Sequence, residues 1–379
     1  MNVPINVLYL TMNPNRESTT VPTEGWFRLL RDRGLRPVLI SSRSGAFQQW
    51  AKGEGIPTYE MPLPFPDKRR PLQFLMSVAR AWWIGRRHRV ELVHCNEHDI
   101  YPIGQYIARL LRVPVVISVH FTMRDGYSRW AFGGDRCPDR IFFISRGSQE
   151  ACRPDVEGVI PEDRWRLLYN GLDMAKFTPD AGLRASFRAE HGLGDRPVIG
   201  VACALRPRKQ LEHLFEAAAR VSNPDLRVVV AGGAVKGDEA YAEQLLVRGR
   251  ALLGPRLVTV GHMKELRPFY NALDLFVNTS QEEACSISVM ESLACGTPVV
   301  GYPSTSVDEQ VLPTGGEIVE QDAIDQLASS LERWTSDPAR LVSARQAARS
   351  RAEDMFDIAK LAEQLWAEYQ TLASMVRAR

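Results

Sequence analysis

The chain has 379 residues, 45% hydrophobic and 24% charged, with 47 basic against 45 acidic side chains. This is the balance of a soluble globular protein with room for about two domains. A formal net charge of +2 excludes a general electrostatic drive towards nucleic acid, and no apolar run approaches the roughly 18 residues of a membrane span.

The first segment, INVLYLTM (5–12), reads as a strand. It lacks the basic start and long apolar core of a signal peptide. TEGWFRLLRDRG (23–34) follows as a helix stopped by Gly34, then RPVLISS (36–42) as a strand. VELVHCN (90–96), PVVISVH (114–120) and DRIFFIS (139–145) are further strands, with helix IGQYIARLLR (103–112) among them. RWRLLYNG (164–171) is a short strand ending in a turn. These strands are continuous apolar runs, as expected when both faces of a parallel sheet are covered.

The polar, Pro- and Gly-containing stretch 172–197 marks a boundary, and the alternation then restarts. RPVIGVACA (196–204), LRVVVAGG (226–233), RLVTVGH (256–262), LDLFVNTS (273–280) and TPVVGYP (297–303) read as strands. QLEHLFEAAARV (210–221), AYAEQLLVRGRALL (240–253), ELRPFYNA (265–272) and SVMESLACG (288–296) read as helices, and the tail from about 321 is helical. The fold class is therefore α/β, with two tandem Rossmann-like domains, 1–178 and 179–356. Ligands are expected outside the carboxyl ends of the strands, in a cleft between the two halves. Six scattered cysteines without a C-x-x-C pair read as free thiols of a reducing cytoplasm, not as a disulfide or zinc frame.

One stretch carries most of the chemistry. LDLFVNTS delivers QEEACS at its carboxyl end, and a helix then starts near Ser286 or Ser288. The first N–H groups of a helix have no partner within it and favour an anion, so this is a place for phosphate. Glu283 precedes the helix and Glu291 lies within it. Carboxylates there can accept hydrogen bonds from hydroxyls on either side of a diphosphate, and a nucleotide sugar has both. The small residues between them let the diphosphate approach the backbone.

The run E-A-C-S-I-S-V-M-E-S-L-A-C-G-T-P-V-V resembles the signature of retaining glycosyltransferases of family 4, with the GT-B fold. The usual form is close to E-G-F-G-x-x-x-x-E-A-M-A-C-G-x-P-V-V. Ala284 and Ser286 stand for glycines, and Cys285 for the aromatic. The resemblance implies that Glu283 holds hydroxyls of the transferred sugar and Glu291 the ribose diol. Ala284, Cys285, Ser286, Ile287 and Ser288 then line the donor. VACALRPRKQ (201–210) resembles the family's G-R-L-x-P-x-K-G, which puts Lys209 on the donor diphosphate. Ala204 replaces the usual arginine, and Arg206 or Arg208 is close enough to substitute, with Arg206 the candidate donor ligand. His120, ending VISVH, falls where the family places a histidine near the reacting centre. The resemblance thus names His120, Glu283 and Lys209 as the catalytic set.

Other loops are less constrained. Ser18, Thr19 and Thr20 stand where the family carries paired glycines, and serve phosphate or acceptor, or belong to a mobile loop. Glu97 and His98, with His94, are acceptor-side candidates. Gly232, Gly233, His262 and Met263 follow two strands of the second domain and suit a nucleobase through backbone contacts. YPSTSVDEQV (302–311) keeps the acid Glu309 of a family V-G-G-x-P-E-x-V segment but not its glycines. Asn170 and Gly171 make a turn, capped by Asp173 and anchored by Phe177, in a structural role.

The resemblance, over about residues 5–370, implies transfer of a hexose-type sugar with retention. The donor is a nucleotide diphosphate sugar, a UDP-sugar ahead of a GDP-sugar. The acceptor is a hydroxyl of a glycan, a lipid-linked sugar or a small molecule. No metal and no cofactor are expected, and helix 357–379 is expected to cross back to the first domain. Two alternatives stay open: a nucleotide-sugar-binding protein without turnover, and an epimerase of the same fold. A Rossmann dehydrogenase is disfavoured because no G-x-G-x-x-G follows a strand. PDKRRPLQFLMSVARAWWIGRRHR (66–89) is basic and holds Trp82 and Trp83. It reads either as a packed helix with a solvated basic end or as an amphipathic helix on an anionic membrane. The expected location is the cytoplasm, or the inner face of its membrane under the second reading. No nucleic-acid partner is expected, and the oligomeric state is not encoded legibly.

Overall fold

In the computed structural model, which describes residues 3–15, 19–67, 69, 71–121, 123 and 126–378, the chain divides into two compact units. One is Met1–Gly171 with Ile358–Arg379, the other Leu172–Asp357.

The first unit holds strands β1 Ile5–Thr11, β2 Leu35–Ser41, β3 Thr58–Glu60, β4 Leu92–Cys95, β5 Val115–Val119, β6 Arg140–Phe143 and β7 Trp165–Leu167. They form one sheet in the order β3-β2-β1-β4-β5-β6-β7, all pairs parallel. Alternation along each strand feeds two separate cores. Leu8, Leu10, Val93, Ile117 and Phe143 enter one core. Val7, Tyr9, Leu92, Val116 and Phe142 enter the other. That second core is filled by the C-terminal helix Ile358–Arg377 through Leu361, Leu365, Trp366, Tyr369 and Leu372. Its Glu368 also receives Arg140 at 2.7 Å and the guanidinium of Arg166. Gly171 is glycine for a local reason, since a Cβ there would lie 2.6 Å from Ile358 Cγ1.

The second unit holds β8 Val198–Ala202, β9 Arg227–Ala231, β10 Leu257–Gly261, β11 Leu275–Asn278, β12 Val299–Gly301 and β13 Gly316–Ile318. Their order is β10-β9-β8-β11-β12-β13, again parallel throughout. The polar stretch 172–197, expected as a connector, instead contains the helix Ala181–Glu190. Its apolar pattern is thin because arginines do the packing. Arg184 and Arg188 reach the two carboxylate oxygens of buried Asp274 at 2.7 and 2.9 Å, and Arg345 adds a third contact at 3.2 Å. Helices Ala46–Gly53 and Arg146–Val156 also lie outside the elements expected from periodicity. The second is polar, and its N-terminus is fixed by a reciprocal Ser145–Ser148 capping box.

In each sheet the strand order reverses once, between β1 and β4 and between β8 and β11. Connections leave these neighbours towards opposite faces, which opens a crevice at their carboxyl ends. Among the described residues, no helix is long and apolar enough to cross a membrane.

Candidate active site

The loops after β8 and β11 meet at the second unit's reversal point. Three bonds stitch them: Thr279 Oγ1 donates to Lys209 O at 2.8 Å, Gln281 N to Arg208 O at 2.9 Å, and Arg208 to Glu282 O at 3.2 Å. This brings the Lys209 ammonium into an ion pair with Glu283 Oε1, both side chains largely buried. Ser280 Oγ donates to the same carboxylate oxygen at 2.9 Å. The loop after β12 fixes the Glu283 backbone from the other side. Glu283 N donates to Ser304 O at 2.8 Å, and Ser306 Oγ to Glu283 O at 2.6 Å.

Helix Ile287–Ala294 begins directly after this loop. Its N-cap, Ser286, makes no side-chain capping bond, and its hydroxyl lies 3.2 Å from Ser288 Oγ. Gln310 takes up the backbone before the helix, accepting from Ser286 N at 3.0 Å and donating to Ser286 O at 3.2 Å. Cys285 turns inward against Met290 and Gln310. The positive helix end, half-exposed Ala284, Ile287 and Ser288, and Lys209 thus form one anion-favouring corner.

Three non-glycine residues in these loops have a positive φ. Ser304 and Thr305 have φ of 47° and 71°, and Gln210, which follows Lys209, has φ of 47°. All three occupy the left-handed region that favours glycine. Ser304 uses its side chain: Asn278 Nδ2 donates to its hydroxyl at 3.0 Å, and that hydroxyl donates to Ser280 O.

Glu291 is half-buried one turn into the helix and accepts from Tyr270 at 2.7 Å. Burial pushes its carboxyl up to about 7, against the opposing pull of the Tyr270 bond and the Lys176 charge. Arg206 does not join Lys209 and Glu283. It pairs with Asp238 at 3.4 Å, beyond β9. Gly232 must be glycine: its φ is 129°, and a Cβ would lie 1.8 Å from Cys203 O. Gly233, His262 and Met263 stand partly or fully exposed at the carboxyl ends of β9 and β10. Glu309 is half-buried beside this loop system.

The reversal point of the first unit is polar too. Glu97 receives Thr11 Oγ1 at 2.8 Å, Met12 N at 3.1 Å and Asn96 Nδ2 at 2.8 Å. Burial raises its carboxyl to about 7 despite these bonds. His120 is buried, and among the described residues neither ring nitrogen meets a partner at hydrogen-bond geometry, although the Asn96 backbone lies close enough to favour its protonation. Burial nevertheless lowers its pKa to about 4, so the ring is neutral near pH 7. His98 is buried against Tyr127, ring centroids 5.3 Å apart. His94 is removed from the acceptor candidates, because its two nitrogens are bound by Tyr369 and, at 2.8 Å, by Ser118. Thr19 and Thr20 are buried and hold their own loop, Thr19 to Asn13 at 3.3 Å and Thr20 to Asn15 O at 2.6 Å. Ser18 lies outside the described residues.

Sequence reasoning missed Ser280, Ser304, Ser306, Gln310 and Tyr270. Only the NTS and PSTS loops at strand ends hinted at the first three. Nothing in RPFYNA singles out Tyr270. Among the described residues no group of three or more His, Cys, Asp or Glu could hold a metal ion.

Residues 184–352 match the model described as glycosyl transferases group 1, and residues 20–171 that of a glycosyl transferase 4-like domain. The chain belongs to the group 1 glycosyl transferases. Within this family it is similar to the sulfoquinovosyl transferase SQD2 of Arabidopsis thaliana, 24% identical over 77% of this chain and 59% of the relative. It is also similar to a D-inositol 3-phosphate glycosyltransferase of Mycobacterium sp., 31% identical over 65% of this chain and 58% of the relative. Alpha-D-kanosaminyltransferase of Streptomyces kanamyceticus is 25% identical over 76% of this chain and 82% of the relative. The chain thus spans less than two thirds of the first two. The Anabaena protein HepE, solved in complex with UDP, superposes with a TM-score of 0.84 at 20% identity, over 98% of this chain and 100% of that one. At that identity the likeness carries the fold, and the fold of this group 1 chain is GT-B.

Proposed function

We propose that the chain is a retaining glycosyltransferase that moves a hexose-type sugar from a nucleoside diphosphate sugar to a hydroxyl acceptor. The observation that carries this is the Lys209–Glu283 pair beside the side-chain-uncapped start of helix Ile287–Ala294. The names of the relatives, all sugar transferases, point the same way.

In this reading the second unit holds the donor. Lys209 and the helix N-terminus take the diphosphate, stabilising its charge as the bond to the anomeric carbon breaks. Glu283 accepts from hydroxyls of the transferred sugar. Glu291, as carboxylate, accepts from the ribose hydroxyls. Gly233, His262 and Met263 face the base, a uracil ahead of a guanine. The charge that neutralises the leaving group comes from the protein, so the reaction needs neither metal nor cofactor. The first unit takes the acceptor through Glu97, and neutral His120 is its catalytic candidate. The acceptor oxygen bonds to the anomeric carbon on the face the diphosphate leaves, and its proton passes to the departing phosphate oxygen.

A donor screen tests this. UDP-, GDP- and ADP-sugars are added with and without EDTA, and melting temperature and nucleotide release are followed. One donor that stabilises the fold and is slowly hydrolysed regardless of EDTA supports the reading. Stabilisation with no sugar released under any condition, acceptors included, points to binding without turnover. Hydrolysis abolished by EDTA removes the metal-free mechanism.

A further inference from the structure

Helix Pro71–Arg87 covers one face of the first unit's sheet. Phe74, Val78, Ala81 and Ile84 face inward and are buried, as a covering helix requires. Its opposite face should then be polar. It is not. Leu72, Leu75 and Met76 are 73%, 60% and 72% exposed, and Trp82 and Trp83 lie exposed one to two turns further on. Positions 72, 75, 76, 79 and 83 recur at helical spacing, so these side chains form a single outward stripe.

The stripe continues past the helix. Leu75 and Phe74 line a groove of about 380 Å³ together with Pro66, Tyr106 and Trp130. Trp130 packs against Phe65, ring centroids 6.2 Å apart, and both are more than 40% exposed. A contiguous apolar surface of this kind marks an interaction site rather than ordinary surface composition.

Charge decides the partner. Between Pro71 and Arg87 the helix has three arginines, Arg80, Arg86 and Arg87, and no acidic residue. All three are exposed, as is Arg69 just before the helix. The Arg87 guanidinium rests 5.6 Å from the centroid of the Trp83 ring, at the edge of the apolar stripe. A second copy of the chain would bring the same arginines against one another across a two-fold axis. An anionic lipid surface answers both features at once. It receives apolar side chains at the level of the acyl boundary and offers phosphates to the arginines around them. Tryptophan suits that boundary, with an apolar ring and one polar N–H.

We propose that this face is a membrane-docking surface. Leu72, Leu75, Met76 and Trp83 enter an anionic bilayer, Arg80, Arg86 and Arg87 bind its phosphates, and the groove beside Trp130 takes up an acyl chain. The inference stands on the first unit alone and does not depend on the donor chemistry.

Co-sedimentation of the full chain with phosphatidylcholine vesicles, with and without phosphatidylglycerol, tests it. The chain is expected on the anionic vesicles, with binding that weakens as salt rises. R86E/R87E is expected to weaken binding by roughly twenty-fivefold or more, at about fivefold per arginine lost, with the new carboxylates adding repulsion. L75S/M76S is expected to abolish the binding that survives at high salt. These side chains are exposed, so circular dichroism and the melting temperature of both variants should match the parent. Absence of binding to anionic vesicles at low salt overturns the proposal, as does equal binding by parent and both variants. A concentration-dependent dimer that L75S/M76S dissolves, with no vesicle binding, overturns it in favour of a second copy.

Discussion

Tyr270 donates its hydroxyl to Glu291 at 2.7 Å, in surroundings whose burial pushes that carboxyl up to about 7. The bond stabilises the anion, which is the form that accepts from ribose. Nucleotide affinity should therefore rise with pH and level off above about 7. Y270F removes the bond, raises the carboxyl further and moves the midpoint upward. Calorimetric titrations at several pH values read this directly, and an unmoved midpoint excludes Glu291 as the titrating group.

The same group has an opposite effect on the unliganded fold. Its folded pKa exceeds the usual carboxylate value of about 4.3. Its contribution to stability is thus complete below that value and is lost as pH rises to about 7. E291Q should show a flatter melting-temperature profile than the parent across this window.

Lys209 and Glu283 should separate binding from chemistry. K209A removes the positive charge facing the leaving group, and turnover is expected to fall about a hundredfold to a thousandfold. E283Q should reduce turnover while changing nucleotide affinity little. Parallel turnover and nucleotide-binding measurements decide, and parental kinetics in both variants would remove the pair from the site.

Glu97 should report on the acceptor. Under E97Q the donor-induced thermal shift is expected to persist, while the KM for the acceptor rises about tenfold or more, as for loss of a charged hydrogen bond. A lost donor shift would move Glu97 to the donor side.

Thr305 is β-branched and left-handed, with φ of 71°. T305G should relieve about 1 kcal/mol of strain, or about 2–4 °C in melting temperature for a unit of this size. S304G relieves similar strain but forfeits the hydroxyl bonds to Asn278 and Ser280, so it should bring no gain. Thermal denaturation of both variants separates the two effects.

The buried cluster around Asp274 predicts a different kind of loss. D274N leaves Arg184, Arg188 and Arg345 without their shared anion. The cost is expected at about 3–5 kcal/mol, visible as a lower urea midpoint.

The amino-acid sequence by itself determined the two α/β layers, because strands covered on both faces must be continuously apolar and their helices must carry a stripe. It also placed Glu283 just after a strand and Glu291 in the helix that follows, as the structure has them, while Lys209 was singled out only by the family resemblance. It could not determine which strand ends are neighbours. The meeting of the β8 and β11 loops follows from the sheet order, and with it the Lys209–Glu283 pair and the departure of Arg206 towards Asp238. Helix Ala181–Glu190 stayed hidden because its packing runs through arginines onto one distant carboxylate. The left-handed backbone at Ser304, Thr305 and Gln210 was not legible either, because none of these residue types calls for it. Periodicity reports what a residue does along its own element. Pairing, burial and backbone strain depend on what other segments bring to the same place, and only the folded chain decides that.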